Sequence, residues 1–565
     1  MPHHHHEGKK FENFVFSILN SPAKKIVVIA SIILALIGSI MMLPTKAVKA
    51  RMLPGKSANT FNVYVTTPAG SSIFQTKEVT QCVVNLLTQQ KEVTDVETYL
   101  AQGAPLDYAG LVKGSAMKQG ERFAEMVVNL TDKHEREIKS FTLVHNLRPK
   151  LQEQCEPLVK GTKIAMVEMP SGPPTLASIV VEVYGDKNSD VIKVANHVAG
   201  ILQKTPKLVD VDIMSETPYE KYQLIPLKDK IARSGLSVDQ VNNILYLAFK
   251  GMDVAVKNTI DINDQVGIFV SLSKDSKTVD NSTLSALRTK LSALYLMNKR
   301  GMMIPLTEIV DITKVKSSPT IYHKDLKTMV NVVAETDLES QVYPLLEARD
   351  NMIKYFSEHG YEVSKVPGIT TFMFDLKLKD KKTGESYLLR WDGEMKVTLD
   401  TFRDLGAAFI AALILIYLLL VIYYKSFAIS GIVLAGSFLS IIGVIVGHWV
   451  ADLVTVDVFF LTATSLIGFI ALMGISSRNS LLLIDFAKSL MEEKGIEKRR
   501  AIAIASATRA KPIMLTAIAI ILGSALLASD PVFGGLGVAL ISGTVAAVIV
   551  SLIFIPVLMD NTKAI

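Results

Sequence analysis

One stretch, Phe459 to Lys488 (FFLTATSLIGFIALMGISSRNSLLLIDFAK), constrains the fold of this chain more than any other. It is an apolar run with one strong base inside it, Arg478. At about 1.5 Å per residue the run is long enough to cross a bilayer core of about 30 Å with some tilt, so Arg478 is expected at or near membrane depth. A guanidinium there needs an anion or water, because an intramembrane charge costs about 3 kcal/mol or more. Its helical neighbours three and four positions away, Gly474, Ile475, Leu481 and Leu482, supply neither. Asp485 lies two turns on and on the same face, about 10 Å along the axis, within reach only if the side chain stretches toward the end of the span. Two readings follow: Arg478 snorkels, or it faces a helix bundle and takes part in ion coupling. The cost of the charge favours the second.

The rest of the 565-residue chain agrees with a membrane setting, with 49% hydrophobic residues and a mean hydropathy of +0.33. Apolar runs long enough to span occur at about Ile26–Leu43, Leu405–Tyr424, Phe427–Trp449, Phe459–Phe486, Pro512–Ala528 and Leu536–Leu558, which predicts six spans. The first ends in IMMLPTKAVKARMLP without a small-residue cleavage site, so it reads as an anchor rather than a removed signal peptide. The MPHHHH start reads as a tag remnant and is set aside.

Orientation follows from the short loops. Lys9, Lys10, Lys24 and Lys25 precede the first span, Lys425 separates the second and third, and the stretch from Lys488 to Lys511 holds seven Lys or Arg residues. All three fall on one side, which puts both termini in the cytoplasm and sends about Thr45 to Asp404 outside. Lys46, Lys49 and Arg51 argue the other way but are outnumbered. The expected setting is a bacterial inner membrane with a periplasmic domain. The lipid bilayer is then a partner, and no nucleic acid is expected. The two cysteines, Cys82 and Cys155, both fall in the exported part; a disulfide and two unpaired thiols stay equally open, and the spacing gives no metal motif.

Within the exported part, short β-rich runs alternate with amphipathic helices. NTFNVYVTTP, a helix over Ser72–Gln90, EVTDVETYLA, RFAEMVVNLT, a helix over Lys133–Val159 and KIAMVEM form a first βαββαβ unit, closed by the linker Pro170–Thr175. A second unit is predicted from SIVVEVYG, a helix over Asp190–Lys204, KLVDVDIM, YEKYQLIPL and a helix over Val238–Lys250. It is completed by KTMVNVVAET, a helix over Leu338–His359 and YEVSKVP. The intervening 251–322 reads as a protruding hairpin. The predicted fold is thus a six-span helical bundle with an α+β exported domain of two split βαβ subdomains. Its parts run 1–25 (amino-terminal segment with a short amphipathic helix), 26–44 (first span), 45–170 and 171–404 (exported subdomains), 405–558 (five spans) and 559–565 (tail). Tyr108 to Glu121 reads as a Gly-bearing loop between strands, with Tyr108, Leu111 and Met117 turned to the gap between subdomains, a candidate substrate contact against the alternative of plain packing.

This order of parts resembles one half of a resistance-nodulation-division (RND) transporter, the inner-membrane pump of tripartite efflux systems. The most specific pieces are GISSRNSLLLIDFAK (474–488), ATRAKPIMLTAIAIILG (507–523), FGGLGVALISGTVAAVIVSLIFIPVL (533–558) and KDKIARSGLSVDQVNNIL (228–245), which are similar to the carboxy-terminal half of the family. The resemblance implies two ferredoxin-like subdomains and a docking hairpin. It also implies that Arg478 stands where drug-exporting members carry a lysine paired with two adjacent acids of the other half's fourth span. Asn479 follows it as in those members, Thr516 supplies a relay hydroxyl, and Arg509 is the base at the cytoplasmic mouth of the same path. No span of this chain holds such an acid pair, and the acids near its spans, Asp404, Asp452, Asp457 and Asp485, sit at predicted ends.

What the resemblance implies for function is a proton-driven antiporter, not an enzyme, with no cofactor beyond the proton-motive force. This chain is the carboxy-terminal half of a split pump, and a separate amino-terminal-half subunit supplies the acids. A guanidinium keeps its proton at any reachable pH, so Arg478 would switch partners rather than titrate. A trimer of such pairs would dock to a periplasmic adaptor and an outer-membrane channel. Because metal exporters tend to carry an acid at this position, the base favours hydrophobic or amphiphilic cargo. A heavy-metal exporter is the first alternative, with Met117 and Met126 as candidate cleft methionines; an accessory subunit of a lipid-trafficking or protein-export complex is the second, and a truncated full-length pump the third.

Overall fold

The computed structural model describes residues 4–279, 283–366, 375–455 and 459–565, and side chains from residue 8 onward. Asp457, expected at a span end, and Pro367, expected to close a strand, lie outside the described residues. The chain divides into two compact units, 1–215 with 321–565 and 216–320.

The first unit begins with α1 (His4–Asn20) and the apolar α2 (Pro22–Met41), capped by the Ser21 side chain on the Lys24 amide. Then come β1 (Thr60–Thr66), α3 (Ile73–Thr88), β2 (Val93–Gln102), the short α4 (Tyr108–Lys113), β3 (Gln119–Leu130), α5 (Ser140–Cys155) and β4 (Lys163–Glu168). The strands form an antiparallel sheet in the order β2-β3-β1-β4. Helix α3 starts where it does because Ser72 and Gln75 make a reciprocal capping box. Alternation decides the faces: Phe61, Val63 and Val65 of β1 and Ala124, Met126 and Val128 of β3 pack with α3 and α5, which leaves Asn62, Tyr64 and Glu125 on the opposite side.

Next come β5 (Ile179–Gly185), α6 (Asn188–Lys204) and β6 (Leu208–Ile213), where the chain enters its second unit. That unit holds β7 (Glu220–Pro226), α7 (Lys228–Arg233), α8 (Val238–Phe249), β8 (Met252–Lys257), β9 (Val266–Val270) and α9 (Lys274–Lys277). It continues through α10 (Leu284–Leu291), β10 (Tyr295–Met297), β11 (Met303–Pro305), α11 (Leu306–Ile309) and β12 (Val310–Lys316). The expected insert boundaries of 251–322 are corrected here. Strand β7 pairs with β12 from Pro226↔Val310 to Glu220↔Lys316, and Ile231, Val241, Leu291 and Leu306 share one core. YEKYQLIPL and the 238–249 helix therefore belong to the insert, which begins at Glu216, and not to the second sheet.

Back in the first unit, β13 (His323–Lys324), β14 (Lys327–Thr336), α12 (Val342–Glu358), β15 (Tyr361–Lys365), β16 (Leu376–Asp380) and β17 (Ser386–Asp392) follow. Seven strands join in the order β13-β14-β5-β17-β16-β15, with β6 pairing β14. Sequence reading missed β16 and β17, although LKLKD alternates cleanly; they place Leu376, Leu378, Leu389 and Trp391 in the core.

Last come α13 (Glu394–Tyr424), α14 (Phe427–Phe438), α15 (Ile441–Val454), α16 (Ala463–Lys494), α17 (Lys498–Ala528), α18 (Gly534–Ile549) and α19 (Ile555–Asn561). Counting α14 with α15 and α18 with α19, six helical spans among the described residues are long and apolar enough to cross a membrane. The predicted loop 488–511 is largely helix: α16 and α17 run into it and leave only Gly495 to Glu497 between them, and α17 continues through Pro512. Lys498, Arg499 and Arg500 open α17 outside its apolar window; cations there work against the helix dipole, and Arg499 and Arg500 are each paired with an acid, Asp560 and Glu12. Close approach of α15 to α18 needs glycine, since a Cβ on Gly447 would sit 2.0 Å from the Ser542 hydroxyl.

Candidate functional site

The membrane helices present their chemistry outward. On α16, Ile467, Ala471, Gly474 and Arg478 are exposed at spacings of four, three and four, a single helical stripe. Arg478 makes no hydrogen bond or ion pair among the described residues. On the neighbouring α17, Pro512, Thr516, Ala519, Gly523 and Leu526 form a second exposed row, and Thr516 satisfies its hydroxyl locally by donating to the Pro512 carbonyl (3.0 Å). Small residues beside a charge are unlike a lipid-facing surface. They let another helix come close and leave the guanidinium free to meet it.

The expected relay residues are only partly gathered. Asn479 and Arg509 are half-buried, and neither pairs with an acid among the described residues. Asp485, also expected in the relay, accepts a hydrogen bond from the Tyr423 hydroxyl of α13 (3.2 Å) and is not paired with Arg478. The snorkelling pair is therefore not formed. Near the ends of the first and last spans, the Asp560 carboxylate is held by Lys25 (2.7 Å) and Arg499 (3.1 Å), and Arg500 pairs with Glu12 of α1 (3.1 Å). Sequence reading assigned no role to this cluster, which ties α1, α2, α17 and α19 together.

The substrate-cleft residues divide. Tyr108 and Leu111 lie on α4, and Met117 on a following short turn of 3-10 helix, so the expected loop is a helix–turn; they are 55, 67 and 89% exposed. Met126 is a correction: it is fully buried between β3 and the α3/α5 layer, because the pleat sends it to the apolar face. It cannot share a cleft with Met117. Among the described residues no three His, Cys, Asp or Glu side chains come together as a metal-binding group. Cys82 of α3 and Cys155 of α5 are joined by a disulfide with a Cα–Cα distance of 5.7 Å.

The two α/β subdomains of the first unit meet through charges. Arg148 of α5 pairs with Asp210 of β6 (3.2 Å) and Asp337 (3.3 Å), His145 contacts Asp337 (2.7 Å), and Gln152 donates to Asp210 (2.8 Å). Beside them a cavity of about 1380 Å³ extends toward the span ends at Phe459, Thr462 and Asp530, lined also by Arg51, Glu168 and Glu335. Burial pushes the Glu168 carboxyl up to about 7, against the pull of Arg148 and Arg51.

Six candidate spans among the described residues, with an α/β domain following the first and the Arg478 guanidinium exposed without an acid partner, define a multi-pass membrane protein. Residues 3–362 and 370–560 match the AcrB/AcrD/AcrF family, and the chain belongs to it: an RND efflux transporter family, whose members are transporters and not enzymes. It is 22% identical over 568 residues to the swarming motility protein SwrC of Bacillus subtilis (strain 168), covering 98% of this chain and 47% of that protein. It is also 22% identical over 563 residues to the multidrug export protein AcrF of Escherichia coli (strain K12), covering 98% and 49%. The cobalt-zinc-cadmium resistance protein CzcA of Cupriavidus metallidurans (strain ATCC 43123 / DSM 2839 / NBRC 102507 / CH34) is 22% identical over 391 residues, covering 68% and 33%. A crystal structure of a heavy metal efflux pump superposes with a TM-score of 0.71 at 18% identity, over 100% of this chain and 53% of that one, which shows the shared fold. The chain thus spans about half the length of the relatives it matches most fully.

Proposed function

We propose that this chain is the carboxy-terminal-half subunit of a split, proton-driven RND efflux pump, and that a separate amino-terminal-half polypeptide supplies the span bearing two adjacent acids. The observation that carries this is Arg478, exposed on a stripe of small residues of α16 and without an acid among the described residues. A proton entering from the periplasm neutralises a partner carboxylate, releases Arg478 and lets the spans shift; Asn479, Thr516 and Arg509 line the same path. The pair sits in a bacterial inner membrane with 45–404 in the periplasm, as the loop charges indicate. Three pairs assemble with a periplasmic adaptor and an outer-membrane channel, and the exposed β8–β9 strands act as the docking hairpin of a ferredoxin-like porter domain. Its presence supports a pump over an accessory subunit of lipid trafficking or protein export.

The base at 478 and the exposed apolar side chains Tyr108, Leu111 and Met117 support hydrophobic or amphiphilic cargo. Similarity to a heavy metal efflux pump and to CzcA supports a metal cargo as the second reading. Co-expression with a candidate partner half, purification through this chain and reconstitution into liposomes test the proposal. The complex should couple dye efflux to proton uptake and this chain alone should not; robust proton-coupled flux from this chain alone refutes the split assignment. Zn²⁺- or Cu⁺-driven proton flux with no response to dyes would move the cargo to metals.

A further inference from the structure

Residues 103–118 connect β2 to β3 and cross the sheet face opposite to α3 and α5. Their inner side is polar and centres on one carboxylate. Glu125, fully buried on β3, accepts from the Ala104 amide (2.8 Å) and the Ser115 hydroxyl (2.9 Å) and pairs with the Lys118 ammonium (3.1 Å). Lys118 also lies 3.4 Å from the centre of the Tyr64 ring, directly across β1 from Glu125. Asp107 caps α4 through the Gly110 amide (2.6 Å). The neck of the segment is shut: a Cβ on Gly103 would lie 2.0 Å from the Ser115 carbonyl oxygen. Positive φ occurs at Ala101 (60°), two residues before the segment, and at Gly114 (76°), where α4 ends within it.

A second attachment points the other way. The Lys113 ammonium, at the end of α4, reaches the Leu176 carbonyl (2.8 Å) and the Glu335 carboxylate (3.2 Å). Glu335 belongs to β14 of the second subdomain, where its other oxygen also takes the Ser178 amide and hydroxyl. Between the two attachments the outer side of the segment is apolar and exposed: Leu106, Tyr108, Leu111, Val112 and Met117. An apolar surface clamped from beneath by one subdomain and from the side by the other changes position when the two subdomains move apart.

We infer that 103–118 is a flap with two anchors, in which Glu125 is the positioning residue that seats it on the first subdomain and the Lys113–Glu335 pair couples it to the second. This deepens the assignment of Tyr108, Leu111 and Met117 to cargo contact, and its transport consequence rests on that assignment.

Hydrogen exchange on the purified full chain tests the anchors without any cargo. Glu125→Gln should raise exchange across 103–118 by about tenfold or more while peptides of β1, α3 and α5 stay as in the wild type. Lys113→Met should raise it over 108–114 alone, and the reversal Lys113→Glu with Glu335→Lys should restore it. Unchanged exchange in Glu125→Gln overturns the anchor, as does a rise shared by α3 and α5. If Glu125→Gln fails to fold, the pair Ser115→Ala with Lys118→Met must show the same local rise. In the reconstituted pump, Lys113→Met should lower turnover with KM little changed, and charge reversal should recover it; failure of the reversal overturns the coupling. Should the exchange results stand while Tyr108→Ala and Met117→Ala leave the cargo KM unaltered, the cargo assignment falls and the two-anchor flap remains.

Discussion

Arg148 and Arg478 are the same side chain in two regions with opposite fates. Arg148 in the α/β domain is nearly buried, 5% exposed, and holds Asp210 and Asp337 at 3.2 and 3.3 Å. Arg478, in a span, is exposed and meets no acid among the described residues. The aqueous domain has to close its own electrostatics, because a buried unpaired ion there would unfold it. The membrane bundle leaves the Arg478 charge unpaired among the described residues. Under the proposed function this contrast separates a residue that stabilises this chain from one that acts on a partner, and four measurements can break it.

The largest effect belongs to Arg478. With the partner half present, Arg478→Ala leaves the partner's carboxylate unpaired and protonated, so transport should fall to background while the subunits still assemble. Arg478→Lys keeps the charge without the planar fork and should retain partial activity in the same direction. Full transport by the alanine variant at normal expression would reduce Arg478 to a snorkelling residue and erase the contrast.

Arg148→Ala should do the reverse, destabilising the α/β domain by about 3–5 kcal/mol in denaturant titrations, because Asp210 stays buried without its cation. Replacing Arg148 by Met together with Asp210 by Leu should cost far less. If the single variant is as stable as wild type, the network is not a structural closure.

A smaller effect is expected of the disulfide. Cys82 and Cys155 are 73 residues apart, so replacing both by Ser should cost about 2–4 kcal/mol, chiefly by enlarging the unfolded ensemble. Complete alkylation of both thiols in unreduced protein would remove the bridge from the account.

The smallest is Glu168. Its carboxyl is pushed up from 4.5 to about 7 by burial, so the folded state holds the proton over a range where the unfolded state has released it. Stability from this group is therefore full below about pH 4.5 and is lost as pH rises toward 7. Glu168→Gln should flatten that slope and leave the variant about 1–2 kcal/mol more stable than wild type at pH 8. Parallel stability profiles for the two proteins would show that Glu168 is well solvated.

Much of the candidate site was legible as residue types and little of it as directions. Arg478 stood out in the sequence because a charge inside an apolar run is visible one residue at a time, whereas Asn479 and Thr516 were named only through the family resemblance. That Asp485 is engaged by Tyr423, 62 positions earlier, was not visible. The flap was read as a loop with three exposed apolar residues, which it presents; its anchor Glu125 was passed over as one more polar residue in an alternating strand.

What the sequence determined by itself is what short range decides: six spans from apolar length, and strands and helices from periods of 2 and 3.6, with helix ends such as Ser72–Gln75 marked by their caps. What only the tertiary structure decided depends on partners far along the chain. Pairing of Pro226 with Val310 moved the start of the insert to Glu216, β17 entered between β5 and β16, and the pleat of β3 against β1 sent Met126 into the core and Glu125 under the flap. The direction of Arg478 belongs to the same class. The side chains of a helix point all round its axis, and packing of α16 against its neighbours chose which stripe stayed outside.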